Sequence, residues 1–250
     1  MELIIPLANI LQPLIDLAES VLKFFHENVG LSWGFAIVGL TFVTRIVILP
    51  LSLKQIRSMR HLQQHAPELK ALQDKYKGDK ERLQREMMAF YRENKINPLA
   101  SCWPLLLQLP VFLALYQLLN SDAFKADVLA DPPIGFLFVE NLTEKAGGAE
   151  LVILIALFIG TQLGAGLVMS ARIQDRNQKI IMFALPVVFA PFIATQPAGL
   201  AIYWISTNVW TLGQQFVVQT FWPAPDPPTK EEVEARKPPP PPPRKRKKRK

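Results

Sequence analysis

An arginine sits inside an apolar run of bilayer-spanning length, LSWGFAIVGLTFVTRIVILPLSL, residues 31–53. Arg45 is the charge, and Thr41 lies one helical turn before it on the same face. An arginine at the centre of a membrane helix costs about 2.5–3.5 kcal/mol on insertion scales, so it must be paired, solvated or used. Pairing within the chain fails, because none of the apolar runs has an Asp or Glu in its interior. Snorkelling is also poor, since Arg45 is about 12 Å from the Leu53 end at 1.5 Å per residue. Solvation is available. In the last apolar run Trp204, Thr207, Asn208, Thr211 and Gln215 recur at three- and four-residue steps and form a polar stripe. Gln108 and Gln162 add amides from two other runs. One such stripe often only glues helices together. Polar groups from several runs around an unpaired cation point instead to a hydrophilic cavity that attracts an anion.

The same residues exclude most covalent chemistry. There is one cysteine, Cys102, and three histidines, His26, His61 and His65, with no HExxH pattern, so neither a disulfide nor a zinc site is expected. No nucleophile–base or phosphate-loop pattern occurs, so no catalytic residue, cofactor or metal is expected. The chemistry on offer is electrostatic and solvational.

The elements that must position these groups are helices. Half of the residues are hydrophobic, and several long apolar runs indicate an all-α integral membrane protein with five transmembrane helices. The spans are 31–53, 98–119, 150–169, 180–196 and 199–220, the second and fourth carrying internal prolines. Residues 1–30 lack the basic start and clean apolar core of a signal peptide. Ile10, Leu14, Leu17, Val21 and Phe24 predict one apolar face, as in an amphipathic helix in the outer interface or one packed on the rim of the bundle. Residues 54–97 are polar and basic with a thin apolar stripe, broken at Gly78 with Asp79 placed to cap a second helix. They predict an αα-hairpin outside the membrane. Residues 120–149 form a loop that leans acidic, and 170–179 a short basic turn. The tail, 221–250, is Pro-rich and basic, with Pro238–Pro243 followed by Arg244, Lys245, Arg246, Lys247, Lys248, Arg249 and Lys250, and predicts a disordered segment.

Net charge is +7, from 28 Lys+Arg against 21 Asp+Glu, and the basic residues concentrate in the hairpin, the 170–179 turn and the tail. With five spans these fall on one side. The positive-inside rule puts that side and the C-terminus in the cytoplasm and the N-terminus outside, with the cavity opening inward. The tail suits two partners, ribosomal RNA and anionic lipid. The ribosome is the expected partner.

These stretches resemble the YidC membrane protein insertases and their Oxa-type and Albino-type relatives. The resemblance lies in WGFAIVGLTFVTRIVILPLSLKQ, ELKALQDKYKGD, YRENKINPLASCWPLLLQLPVFLALY and FALPVVFAPFIATQPAGLAIYWISTN, over roughly residues 30 to 220. It implies a five-helix core in the bacterial plasma membrane, with a groove open to cytoplasm and lipid and Arg45 as its charge. Thr41, Gln162, Tyr203 and Trp204 are similar to groove-lining positions of that family. It implies nascent membrane proteins as partners, a hairpin that receives them, and a Sec-type translocon as a further partner. The chain resembles the short form without a large periplasmic domain; the proline run is not a family hallmark. The alternative from another class is a small anion transporter with Arg45 as counter-charge, against which stands the absence of an internal repeat.

Overall fold

The computed structural model describes residues 4–97, 103–170 and 176–222. The basic tail, Cys102 and Arg172 lie outside the described residues. Nine helices are described: α1 (Ile4–Lys23), α2 (Trp33–Gln64), α3 (Ala66–Lys75), α4 (Lys80–Glu93), α5 (Trp103–Asn120), α6 (Asp122–Ala130), α7 (Gly148–Ser170), α8 (Arg176–Ile193) and α9 (Ala198–Phe221). Among the described residues the only β-pairings are isolated bridges. By length and composition α2 and α7 can cross a membrane, and α5 and α8 contain shorter apolar stretches.

α9 is the central element, packed on α7 and α2; α5 leans on α1 and α9, and α8 on α7. The buried core is concentrated at one end of this bundle. It takes Trp33, Ala36, Ile37 and Leu40 from the start of α2, and Ala114, Leu115, Leu118 and Leu119 from the end of α5. Leu154 and Phe158 come from the start of α7, and Leu200 to Tyr203 from the start of α9. Toward the other end few side chains are buried, among them Ala165 and Val218. Outward faces are apolar and bare: Val47 is 71% exposed, Val152 66% and Val188 73%. A continuous apolar exterior of this kind needs lipid or a partner to cover it.

α1 differs from its expected face. Leu11, Ile15, Ala18 and Leu22 are buried against the bundle, while Leu17 and Phe24 are exposed. The chosen stripe includes Ala18, whose small side chain lets α1 approach its neighbours closely, and Phe24 falls in a π-helical turn, Phe24–Asn28, which shifts the register. Gly30, at φ +77°, ends that turn in the left-handed region and swings the chain into α2.

α2 does not stop at the expected boundary, Leu53. It runs unbroken to Gln64 because 54–64 holds strong helix formers and neither Gly nor Pro. The first arm of the hairpin is therefore the end of α2 plus α3, and α4 returns. Asp79 caps α4 as expected, its carboxylate accepting from the Arg82 N–H at 2.9 Å. The segment 120–149 is more built than a loop. Ser121 caps α6 and Phe124, Val128, Val139 and Leu142 are buried in the core, so the segment closes the packed end.

Candidate functional site

The helix α2 brings Arg45 to the level where the core gives way to looser packing. Its Nη2 donates to Gln108 Oε1 of α5 at 3.5 Å. Gln108 Nε2 in turn donates to the Tyr203 hydroxyl of α9 at 2.7 Å. One polar chain thus ties three helices that are distant in sequence. Tyr203 is 1% exposed and Arg45 half-buried, so the chain runs from the bundle axis toward its less packed part. Thr44 also flanks the Tyr203 hydroxyl. The Thr207 hydroxyl faces the same group but completes no hydrogen bond of its own among the described residues. Among the described residues no salt bridge involves Arg45. In a low-dielectric surrounding a lone guanidinium held only by neutral dipoles retains strong attraction for a carboxylate.

The other expected residues divide. Thr41 is fully buried beneath Arg45, its hydroxyl donating to the Ile37 carbonyl at 2.9 Å. Asn208 is buried and donates to the Thr161 hydroxyl at 3.2 Å, which links α9 to α7. Thr211 turns its hydroxyl back to the Thr207 carbonyl at 2.8 Å. Gln162 and Gln215 are half-buried on α7 and α9. Trp204 belongs to a different cluster. Its ring stacks on Phe112 at 4.9 Å and lies against Phe158, Phe189 and Phe192 at 5.6–6.2 Å. It is an aromatic joint between α5, α7, α8 and α9. Sequence reasoning missed Thr44 and Phe112. Thr44 stands beside Arg45 in the chain, and Phe112 is one turn after Gln108 on α5, so position on an already marked helix was the available signal.

A second polar knot fastens α1 at the packed end. The Lys23 ammonium is held protonated well above its ordinary range by Glu19 and by Asp127 of α6, at 2.8 and 2.9 Å. Nearby, His26 stacks on Trp33 at 3.9 Å and meets Asp131 at 3.0 Å.

These features define a class: a helical membrane protein with an arginine seated among neutral polar groups in an apolar helix. The profile of the 60Kd inner membrane protein family matches residues 24–224. The chain is 35% identical over 228 residues to a protein of Streptomyces avermitilis named membrane protein insertase YidC, covering 78% of this chain and 53% of that one. A protein of the same name from Tropheryma whipplei is 34% identical, with 84% of each chain covered. One from Campylobacter jejuni is 38% identical over 79% of this chain and 36% of its own. Among solved structures, a crystal structure of active YidC insertase with its first transmembrane domain resolved matches with TM-score 0.64 and 24% identity, covering 86% of this chain and 46% of that one. The chain spans about half the length of the Streptomyces relative and a little over a third of the Campylobacter one. It belongs to the 60Kd inner membrane protein family, the YidC-type proteins, and is a protein of the bacterial plasma membrane.

Proposed function

We propose that this chain is a membrane protein insertase that receives nascent membrane proteins in a hydrophilic groove and releases their apolar segments into lipid. In this reading α2, α5, α7, α8 and α9 are the five spans, the packed end is extracytoplasmic, and the hairpin and tail are cytoplasmic. Arg45, Gln108 and Tyr203 form the polar centre of the groove, and Thr41 lies at its floor. Gln162, Thr207, Asn208, Thr211 and Gln215 continue it along α7 and α9, and Trp204 braces its far wall. The observation that carries the reading is the polar chain from Arg45 to Tyr203, without a carboxylate partner among the described residues and seated where tight packing ends. The name shared by its relatives supports it.

The physical task is to move the polar head of a nascent chain across about 30 Å of hydrocarbon, where each unpaired peptide group costs several kcal/mol. A groove hydrated part of the way shortens that path, and Arg45 draws in acidic leader segments. Apolar segments then partition outward along bare faces such as those of Val152 and Val188. No bond is made or broken. The ribosome, through Arg244–Lys250, and a Sec-type translocon are the further partners of this reading.

The test uses the full chain in vesicles with two substrates that differ only in leader charge. Arg45→Ala is expected to lower insertion of the acidic-leader substrate several-fold and of the neutral one little. Equal yields from mutant and wild type on both substrates would overturn the role of Arg45.

A further inference from the structure

Between α6 and α7 the chain makes a tight turn, Phe136–Val139, with reciprocal backbone hydrogen bonds of 2.8 and 2.9 Å between its two ends. Leu137 and Phe138 are its central pair. Leu137 is 81% exposed, the highest exposure among the described large apolar side chains, and Phe138 is 36% exposed. Leu137 also adopts φ +56°, in the left-handed region where glycine is the usual occupant of such a turn. Folding alone favours a small or polar residue here on both counts.

The tip is bare, yet its root is rigid. The Phe136 ring lies so close to Gly34 that a Cβ there would collide with it. The same ring meets Phe35 edge-on at 4.9 Å. A Cβ on Gly135 would collide with the Val139 carbonyl, and Leu142 N–H donates to the Ile134 carbonyl at 3.1 Å. Val139 and Leu142 are buried. The position of the tip is thereby set relative to two spanning helices. Phe136 touches the first turn of α2, and Phe138 lines a surface cavity of about 480 Å³ with Glu150 and Ile153 from the first turns of α7. Phe35 and Ile153 are themselves exposed, at 51% and 41%. The tip is therefore level with the point at which two apolar helices begin, and its apolar surface continues theirs. Glu140, Glu144 and Lys145 around it form a polar rim.

We infer that Leu137 and Phe138 form a lipid-interface anchor, seated at the boundary between headgroups and acyl chains of the leaflet at the packed end. The occupant is lipid because the patch is continuous with the lipid-facing sides of α2 and α7 and has a charged rim at headgroup level, the arrangement of an interfacial apolar wedge. The anchor holds the packed end at fixed depth, so that Arg45, on the rigid helix that carries Gly34, is held at fixed depth too. The inference rests on α2 and α7 being spans, and the experiment separates the two claims.

Single nitroxide labels are placed at Leu137→Cys, Val152→Cys and Glu144→Cys in Cys102→Ser full-length chain, reconstituted in phosphatidylcholine–phosphatidylglycerol vesicles. Power-saturation measurements then compare collision with oxygen, which concentrates in lipid, and with a water-soluble nickel chelate. The label at 152 is expected to favour oxygen, that at 144 nickel, and that at 137 oxygen, by a ratio several-fold above position 144. A ratio at 137 equal to that at 144, with 152 still in lipid, would overturn the anchor alone. Shielding at 137 from both reagents would overturn it in favour of a protein cover, and a water-like label at 152 would overturn both claims. In a second arm, Leu137→Gly suits the turn backbone and removes the wedge. With the label at Phe138→Cys, it is expected to lower the oxygen-to-nickel ratio, and an unchanged ratio would remove Leu137 from the anchor.

Discussion

Arg45 is positioned by a relay of neutral partners, and each partner can be tested separately. Tyr203→Phe removes the hydroxyl that accepts from Gln108 and leaves the ring in place. It is expected to cost about 0.5–1.5 kcal/mol, seen as a lower thermal midpoint in detergent, because one half-buried amide donor loses its protein partner. Arg45→Lys keeps the charge but loses the planar fork that reaches Gln108, so it is expected to retain only part of the acidic-leader insertion in vesicles. Arg45, Gln108 and Asn208 were legible in the sequence, because a polar side chain in an apolar run has little to do except face other polar groups. Trp204 was not. Successive helical residues point about 100° apart, so Tyr203 and Trp204 necessarily face different neighbours, and only packing decides which of the two joins Gln108. The tertiary partners Phe112, Phe189 and Phe192 claimed the indole.

Among the elements the hairpin is held most thinly. α3 has one buried residue, Leu69, and α4 has none. Its caps and edge contacts therefore count for a large share of its stability. Asp79→Ala is expected to cost about 1 kcal/mol locally, seen as faster amide exchange in the first turn of α4 with no change in α7. Burial pushes the Tyr91 hydroxyl above its ordinary value of 10.0. The fold thus favours the neutral phenol, while the unfolded hairpin ionises first. The contribution of Tyr91 is intact below pH 10 and declines as pH rises above it. Amide exchange in α4 is expected to accelerate above pH 10 beyond its intrinsic rise, and Tyr91→Phe to abolish that excess. The Asp79 cap was legible because capping is local. The continuity of α2 past Leu53 was not, because an apolar-to-polar change in sequence marks a change of surroundings and leaves the backbone free to continue.

At the scale of the molecule, tight packing at one end and looser packing at the other predicts a sharp contrast in cysteine labelling. Val47, Val152 and Val188 are the more exposed, yet cysteines there are expected to resist a water-soluble maleimide in vesicles. Cysteines at half-buried Gln162 and Gln215 are expected to react when the reagent is admitted to the hairpin side. Reaction at all five positions alike would remove the groove. The same asymmetry has an electrical meaning. Water conducts and a packed apolar core does not, so if the hairpin-side half is hydrated, as the proposed groove requires, the membrane potential falls almost entirely across the core. Arg45 lies about 18 Å along α2 from Trp33, at about 1.5 Å per residue. The full work of about 2.3 kcal/mol per elementary charge per 100 mV is then delivered over roughly this shorter path. In the proposed groove the packed end would act as a thin dielectric that steepens the local field, with Arg45 near its inner surface.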